Sequence, residues 1–98
     1  MFEIRLGEQG EIIMTGRLDA AQCDKALQFM DGVASPRVVD LTGLDYVSSA
    51  GLGVLLKTQK RVMASGQGLR LVNANKHIRD IFKYAGFDRI FEIVPAGS

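Results

Sequence analysis

Asp40-Leu41-Thr42-Gly43-Leu44-Asp45-Tyr46-Val47-Ser48-Ser49-Ala50-Gly51-Leu52-Gly53-Val54-Leu55-Leu56 is the stretch from which the architecture of this chain follows. Val38-Val39-Asp40-Leu41 leads into it as an apolar run too continuous for a half-solvated strand, and reads as an interior parallel one. A turn follows that strand, and from about Ser49 to Ala64 the apolar residues take helical spacing. Ser48 and Ser49 stand at the mouth of this helix, where a hydroxyl can cap orphan backbone N–H groups. The helix dipole would also favour a negative charge placed there, such as a phosphate.

The same alternation extends in both directions. Phe2, Ile4 and Leu6 alternate with Glu3 and Arg5, the period of a half-buried strand, and Glu11 to Thr15 forms the second arm of a hairpin turned at Gly7 to Gly10. Asp19 followed by Gln22 gives a capping box for a first helix, in which Cys23, Ala26, Leu27 and Met30 share a face. Gly32 falls where a Schellman glycine is expected, and Pro36 blocks continuation. After the break at Ser65-Gly66-Gln67-Gly68, Leu69 to Val72 makes the next interior strand. Asn73 or Asn75 caps a third helix with Ile78, Ile81, Phe82 and Ala85 on one stripe, Gly86 closes it, and Ile90 to Val94 is a last short strand. Strands alternating with helices imply right-handed parallel crossovers. The expected fold is a single α/β domain over residues 1–98: a small mixed sheet, an N-terminal hairpin then parallel strands, with helices mainly on one face.

Composition excludes several classes of function. Ninety-eight residues support one core, and 47% hydrophobic with 23% charged residues is ordinary for a globular domain. A net charge of +1 lacks the basic footprint of a nucleic-acid binder. One cysteine, Cys23, rules out an internal disulfide or a cysteine-based zinc site. No apolar run approaches the roughly 20 residues that span a bilayer. The N-terminus lacks the basic start and apolar middle of a signal peptide, so the expected location is cytoplasmic, without direct membrane insertion.

Candidate chemistry is sparse. Gly51-Leu52-Gly53 lacks the third glycine of a dinucleotide loop, since Leu56 stands there, and no Walker loop is present. Val47-Ser48-Ser49-Ala50-Gly51 is half a nucleophile elbow, with Val47 where glycine is required, and His77 is the only histidine to serve it. His77 reads as a solvated surface residue in the first turn of the third helix. No cluster has metal-ligand spacing, and no cofactor is expected.

Ser48 and Ser49 read either as plain N-caps or as something more. One cap needs one hydroxyl, whereas two serines followed by Gly51 and Gly53 leave a sterically open backbone. Glycine early in a helix costs about 1 kcal/mol against alanine, so the pair points to a close approach by another surface. Leu52, Leu55, Leu56, Val62 and Met63 make the buried stripe of this helix, and Gly53, Lys57, Lys60 and Arg61 line the other side. That basic stripe is either solvated surface or a dock for an acidic partner. Asp19 and Asp45 are cap and turn residues by default, at strand ends that can border the same loop.

Gly16-Arg17-Leu18-Asp19, Val38-Val39-Asp40-Leu41-Thr42-Gly43, Ser48-Ser49-Ala50-Gly51-Leu52-Gly53 and Leu69-Arg70-Leu71-Val72-Asn73-Ala74, followed by a helix and Ala85-Gly86-Phe87, together resemble the STAS domain of anti-sigma factor antagonists over essentially the whole chain. The resemblance implies a non-enzymatic partner switch. Unphosphorylated, such a protein binds an anti-sigma factor that is also a serine kinase; phosphorylated by it, the protein lets go, and a serine phosphatase resets it. Aligning Gly51 with the family glycine puts the phosphoacceptor at Ser49. Many relatives have aspartate before the acceptor and serine or threonine after it, where this chain has Ser48 and Ala50, which leaves Ser48 as the alternative acceptor. The partner surface implied comprises Asp19, Ser48, Ser49, Gly51, Gly53 and Lys57. A second reading within the same family is a stand-alone subunit of a lipid or solute ABC transport complex, docking on its ATPase without phosphorylation.

Overall fold

The computed structural model describes residues 1–95, and its elements follow the expected alternation. β1 (Phe2–Leu6) and β2 (Ile12–Leu18) form the hairpin, and a 3-10 turn at Ala20–Gln22 runs into α1 (Cys23–Asp31). β3 (Val38–Val47), α2 (Ser49–Met63), β4 (Arg70–Ala74) and α3 (Lys76–Tyr84) come next, and a second 3-10 turn (Phe87–Arg89) leads to β5 (Glu92–Pro95). The sheet order is β1-β2-β3-β4-β5, with β1 antiparallel to β2 and every later pair parallel. Strand order advances without reversal, so successive right-handed crossovers deliver α1, α2 and α3 to the same side. β3 shows which side: Val39 and Leu41 are buried under the helices, while Val38, Asp40 and Thr42 are not. The core between the layers is filled by Ile12, Met14, Leu18, Met30, Leu44, Leu55, Leu71, Ile78 and Phe82.

The largest departure from the sequence reading is in β3. The expected turn after Leu41 is instead the middle of a ten-residue strand. The register slips from Ile13↔Asp40 to Thr15↔Gly43, a bulge that accommodates the extra residue. Asp40 Oδ1 accepts from the Thr42 amide (2.9 Å) and hydroxyl (2.6 Å), giving the backbone there a local partner in place of the ladder. β4 bulges beside it at Asn73, whose φ of 63° is left-handed. The Asp40 carboxyl sits in partial burial, which opposes ionisation, but its bonds to Thr42 and to the Asn73 side chain outweigh this and hold it below the usual carboxylate range.

Smaller differences have similar causes. The Asp19 side chain makes no cap hydrogen bond, so the capping box does not form and the first helix begins as a 3-10 turn. Gly32 ends α1 at φ −79° with its N–H shared between Gln28 O and Phe29 O, so no left-handed Schellman turn is made. Gly86 does adopt the left-handed conformation, at φ +77°. Asn75 rather than Asn73 caps α3, its Oδ1 accepting from Ile78 N at 2.9 Å. β5 starts two residues later than expected, because Phe87–Arg89 is helical and stacks Phe87 against Phe82 and Phe91.

Candidate functional site

The parallel pairing of β2 with β3 brings the two strand ends together, with Leu18 opposite Val47. Ser48 continues this ladder by donating its N–H to Leu18 O (2.9 Å), then leaves the sheet with extended backbone to cap α2. Its Oγ accepts from Gly51 N at 3.1 Å, and its carbonyl accepts from Leu52 N at 2.9 Å. Ser48 is thus half-buried and its hydroxyl is occupied by the cap. Ser49, the first residue of α2, is exposed and has no such duty. The two adjacent serines therefore differ in what their hydroxyls are free to do.

The two glycines also separate. The open backbone expected at both exists only at Gly53, where a Cβ would meet nothing within 4 Å. Gly51 is buried, and a Cβ there would lie 2.9 Å from Leu18 Cγ, Leu18 O and Val47 Cγ2. Its role is to let the start of α2 press against the β2–β3 junction. Gly51 therefore sits under the candidate surface rather than on it.

Along α2 the outward face carries Gly53, Lys57 and Lys60, with both lysines exposed. Arg61 departs from that stripe: it is half-buried, donates to Met30 O at 2.7 Å and lies 3.6 Å from Asp31, so it ties α2 to the end of α1. Met63, expected in the buried stripe, is 53% exposed, because α2 reaches past the edge of the core there. Thr58 and Gln59 are buried polar residues that the apolar pattern does not flag. Thr58 donates to Val54 O, and the Gln59 amide bridges Leu69 N (2.7 Å) and Ile90 O (2.8 Å).

Asp19 follows β2 directly, next to Leu18, whose carbonyl accepts from Ser48 N, and its Oδ1 is buried and unbonded within the described residues. Cys23 completes this corner, a neighbour missed in the sequence although the Asp19–Cys23 spacing is one helical turn. Its Sγ donates to Asp19 O at 3.3 Å. Burial, followed by the charges of Asp19 and Asp24, pushes the Cys23 thiol up, against a smaller opposite effect of its hydrogen bond with Ser48. The thiol is therefore a poor nucleophile and a packing neighbour of the loop. Asp45 lies inside β3 and is exposed, clear of the Ser48 turn. On the helix-free side the Arg17 guanidinium stacks on Tyr46, 4.4 Å from the ring centroid. His77 is exposed on α3, remote from either serine in sequence and element.

Ser48 faces a backbone amide and a protonated thiol rather than a base. Among the described residues no group of His, Cys, Asp and Glu could hold a metal ion, and no helix is long and apolar enough to cross a membrane. What α2 presents outward is an exposed serine at its N-terminus, an open glycine one turn on and lysines further along the helix.

The sequence over residues 3–95 matches the family described as "Mlab, STAS domain". A Bordetella bronchiseptica protein assigned as an anti-sigma factor antagonist, BtrV, is 38% identical over 74 residues, which are 76% of this chain and 58% of that protein. The chain thus spans little more than half of this relative. Among solved structures, a Thermotoga maritima protein assigned as an anti-sigma factor antagonist superposes with a TM-score of 0.76 at 18% identity, covering 95% of this chain and 85% of the other. The Bacillus anti-sigma factor antagonist SpoIIAA gives 0.72 in its unphosphorylated form, at 16% identity over 95% of this chain and 87% of that one. Its phosphorylated form gives 0.67 at the same identity, over 95% and 90%. At such identities the structures speak for the fold, and the family match over nearly the whole sequence decides membership: the chain belongs to the STAS domain family.

Proposed function

We propose that this protein is an anti-sigma factor antagonist, a protein–protein switch in which Ser49 is a phosphate acceptor and not a catalyst. The single observation that supports this most is the division of labour between the serines. Ser48 holds the cap, and Ser49 offers a free hydroxyl on an exposed first helical position. The BtrV relative, assigned to the same role, supports the reading from sequence. Asp19, Ser49, Gly53 and Lys57 form the contact surface for an anti-sigma factor with serine kinase activity, and Gly51 and Ser48 hold that surface in shape.

The physics of the switch is local. A phosphate on Ser49 adds about −1.5 to −2 charges at a helix N-terminus, where the dipole and free N–H groups tolerate it. The fold is left intact, and the charge acts on the partner. A surface that closes over Gly53 must desolvate the phosphate, and an unpaired charge buried in an interface costs several kcal/mol. Binding is lost without any rearrangement of the antagonist, and a serine phosphatase restores it.

The test is fragment mass spectrometry after incubation with the kinase, joined to calorimetry of variants. One phosphate at Ser49 is expected. Ser49→Asp should lower affinity for the anti-sigma factor at least about tenfold, and Ser49→Ala should bind normally and resist the kinase. A phosphate on Ser48, or equal affinities for the two variants, refutes the mechanism. Tight docking on a transport ATPase with no phosphorylation would assign the surface to the other branch of the family.

A further inference from the structure

Among the described residues β1 is an unpaired edge of the sheet. Arg17 N donates to Met1 O and Gly7 N to Glu11 O, so the odd-numbered residues of β1 turn their backbone groups toward β2. By alternation Phe2, Ile4 and Leu6 point their N–H and C=O groups outward, away from the sheet. The strand pairs with β2 in unbroken register from Phe2 to Leu6, without a bulge or proline to blunt it. The opposite edge, β5, ends in Pro95.

The sequence of that edge is complementary to itself when reversed. In an antiparallel pair with a two-fold axis at Ile4, Phe2 of one copy lies opposite Leu6 of the other, Glu3 opposite Arg5, and Ile4 opposite Ile4. The outward-facing residues Phe2, Ile4 and Leu6 become the hydrogen-bonded pairs, which satisfies every free backbone group of the strand. Glu3 and Arg5 fall at the non-hydrogen-bonded pairs, where opposed side chains come closest, with Cβ atoms about 4.5–5.5 Å apart. Both charged residues are exposed and lie on the helix-free face, so their carboxylate and guanidinium groups meet in water on the surface of the shared sheet.

Burial fits the same axis. Phe2 is 3% exposed whereas Leu6 is 51% exposed, so the helix layer covers one end of β1 and leaves the other bare. Antiparallel pairing sets each bare Leu6 beside the partner copy's covered strand end. The two helix layers stay at opposite ends of the junction. Lys25 Nζ, now 3.5 Å from Phe2 O, reaches over this edge, and its long stem lets it swing away. We propose that β1 is a self-association edge: two copies of this chain join through β1 into one continuous sheet with a two-fold axis at Ile4. The interface is small, so the dimer is weak and concentration-dependent.

Sedimentation velocity across a concentration series tests this with charge variants at exposed positions. The unaltered chain should move from monomer to dimer as concentration rises toward about 1 mM. Glu3→Arg and Arg5→Glu each place like charges opposite one another twice, and each should weaken association at least about tenfold. Mixing these two variants sets the paired arginines of one copy against the paired glutamates of the other, and should restore a heterodimer. The double swap on one chain should likewise restore the homodimer. Circular dichroism of each variant should match the parent. A parent that stays monomeric over the whole range, or variants that dimerise as well as the parent, overturns the proposal. So does a mixture that remains monomeric.

Discussion

Gly51 and Gly53 lie on opposed faces of the first turns of α2, and replacing each with alanine should change stability in opposite directions. At Gly53 a Cβ meets open space, so Gly53→Ala only removes backbone freedom from the unfolded chain. The gain should approach 1 kcal/mol, or about 4–8 °C in Tm for a domain of this size. At Gly51 the same methyl arrives 2.9 Å from Leu18 Cγ, Leu18 O and Val47 Cγ2. Leu18 O already accepts from Ser48 N, so this backbone cannot retreat without opening the junction between β2 and α2. Overpacking of this kind costs about 1–3 kcal/mol, more than helix propensity returns in a first turn. Gly51→Ala should therefore melt several degrees below the parent, and urea denaturation should show a lower midpoint at unchanged slope. If Gly51→Ala is as stable as Gly53→Ala, then α2 does not start pressed against Leu18, and the account of the corner fails.

Removing the cap with Ser48→Ala should cost about 1 kcal/mol, while Ser49→Ala should leave the melting temperature within error, because only the first hydroxyl bonds the backbone; equal losses would contradict the assignment. Asp40→Ala should cost about 1–3 kcal/mol at neutral pH, through loss of the Thr42 and Asn73 bonds. Because the folded carboxyl titrates below its unfolded value, its contribution is present above the ordinary carboxylate range and fades as pH falls through the folded pKa, so the gap between parent and variant should narrow in acid denaturation profiles. Gln59→Leu should destabilise by about 1–3 kcal/mol, since it strands the buried Leu69 amide, and hydrogen exchange at Leu69 should accelerate. Gly53→Arg should keep the fold and abolish anti-sigma factor binding by calorimetry; an early melt with binding retained would show Gly53 to be a packing residue.

Legibility in the sequence follows the range of the interactions involved. The element order, the parallel core strands, the α3 stripe at Ile78, Ile81 and Phe82 and the Gly86 stop depend on neighbours within a turn or two, and the residue pattern displays them; Ala85, expected on that stripe, is exposed at the C-cap of α3. Ser48 as a cap belongs here too, since the bond to Gly51 N spans only three residues. β3 reads short because Asp40, Thr42 and Gly43 have turn chemistry, and that chemistry is spent on a bulge that only pairing with β2 and β4 creates. Asp19 reads as a cap for the same reason, whereas the tight passage from β2 into α1 imposes a 3-10 turn.

The site divides along the same line. Sequence by itself determined that two serines and two glycines begin a helix after an interior strand, and that lysines follow on one face. Only the tertiary structure decided which of each pair does what. Gly51 is buried because the β2–β3 junction lies beneath it, and Gly53 is open because nothing packs over the next part of the helix. Ser48 is bound to Leu18 across the sheet and Ser49 is released to solvent. Arg61 is drawn out of the basic stripe by Met30 and Asp31, and Cys23 is brought against Ser48. Each of these outcomes depends on a partner distant in the chain, and packing across the sheet is what sets identical residues on different tasks.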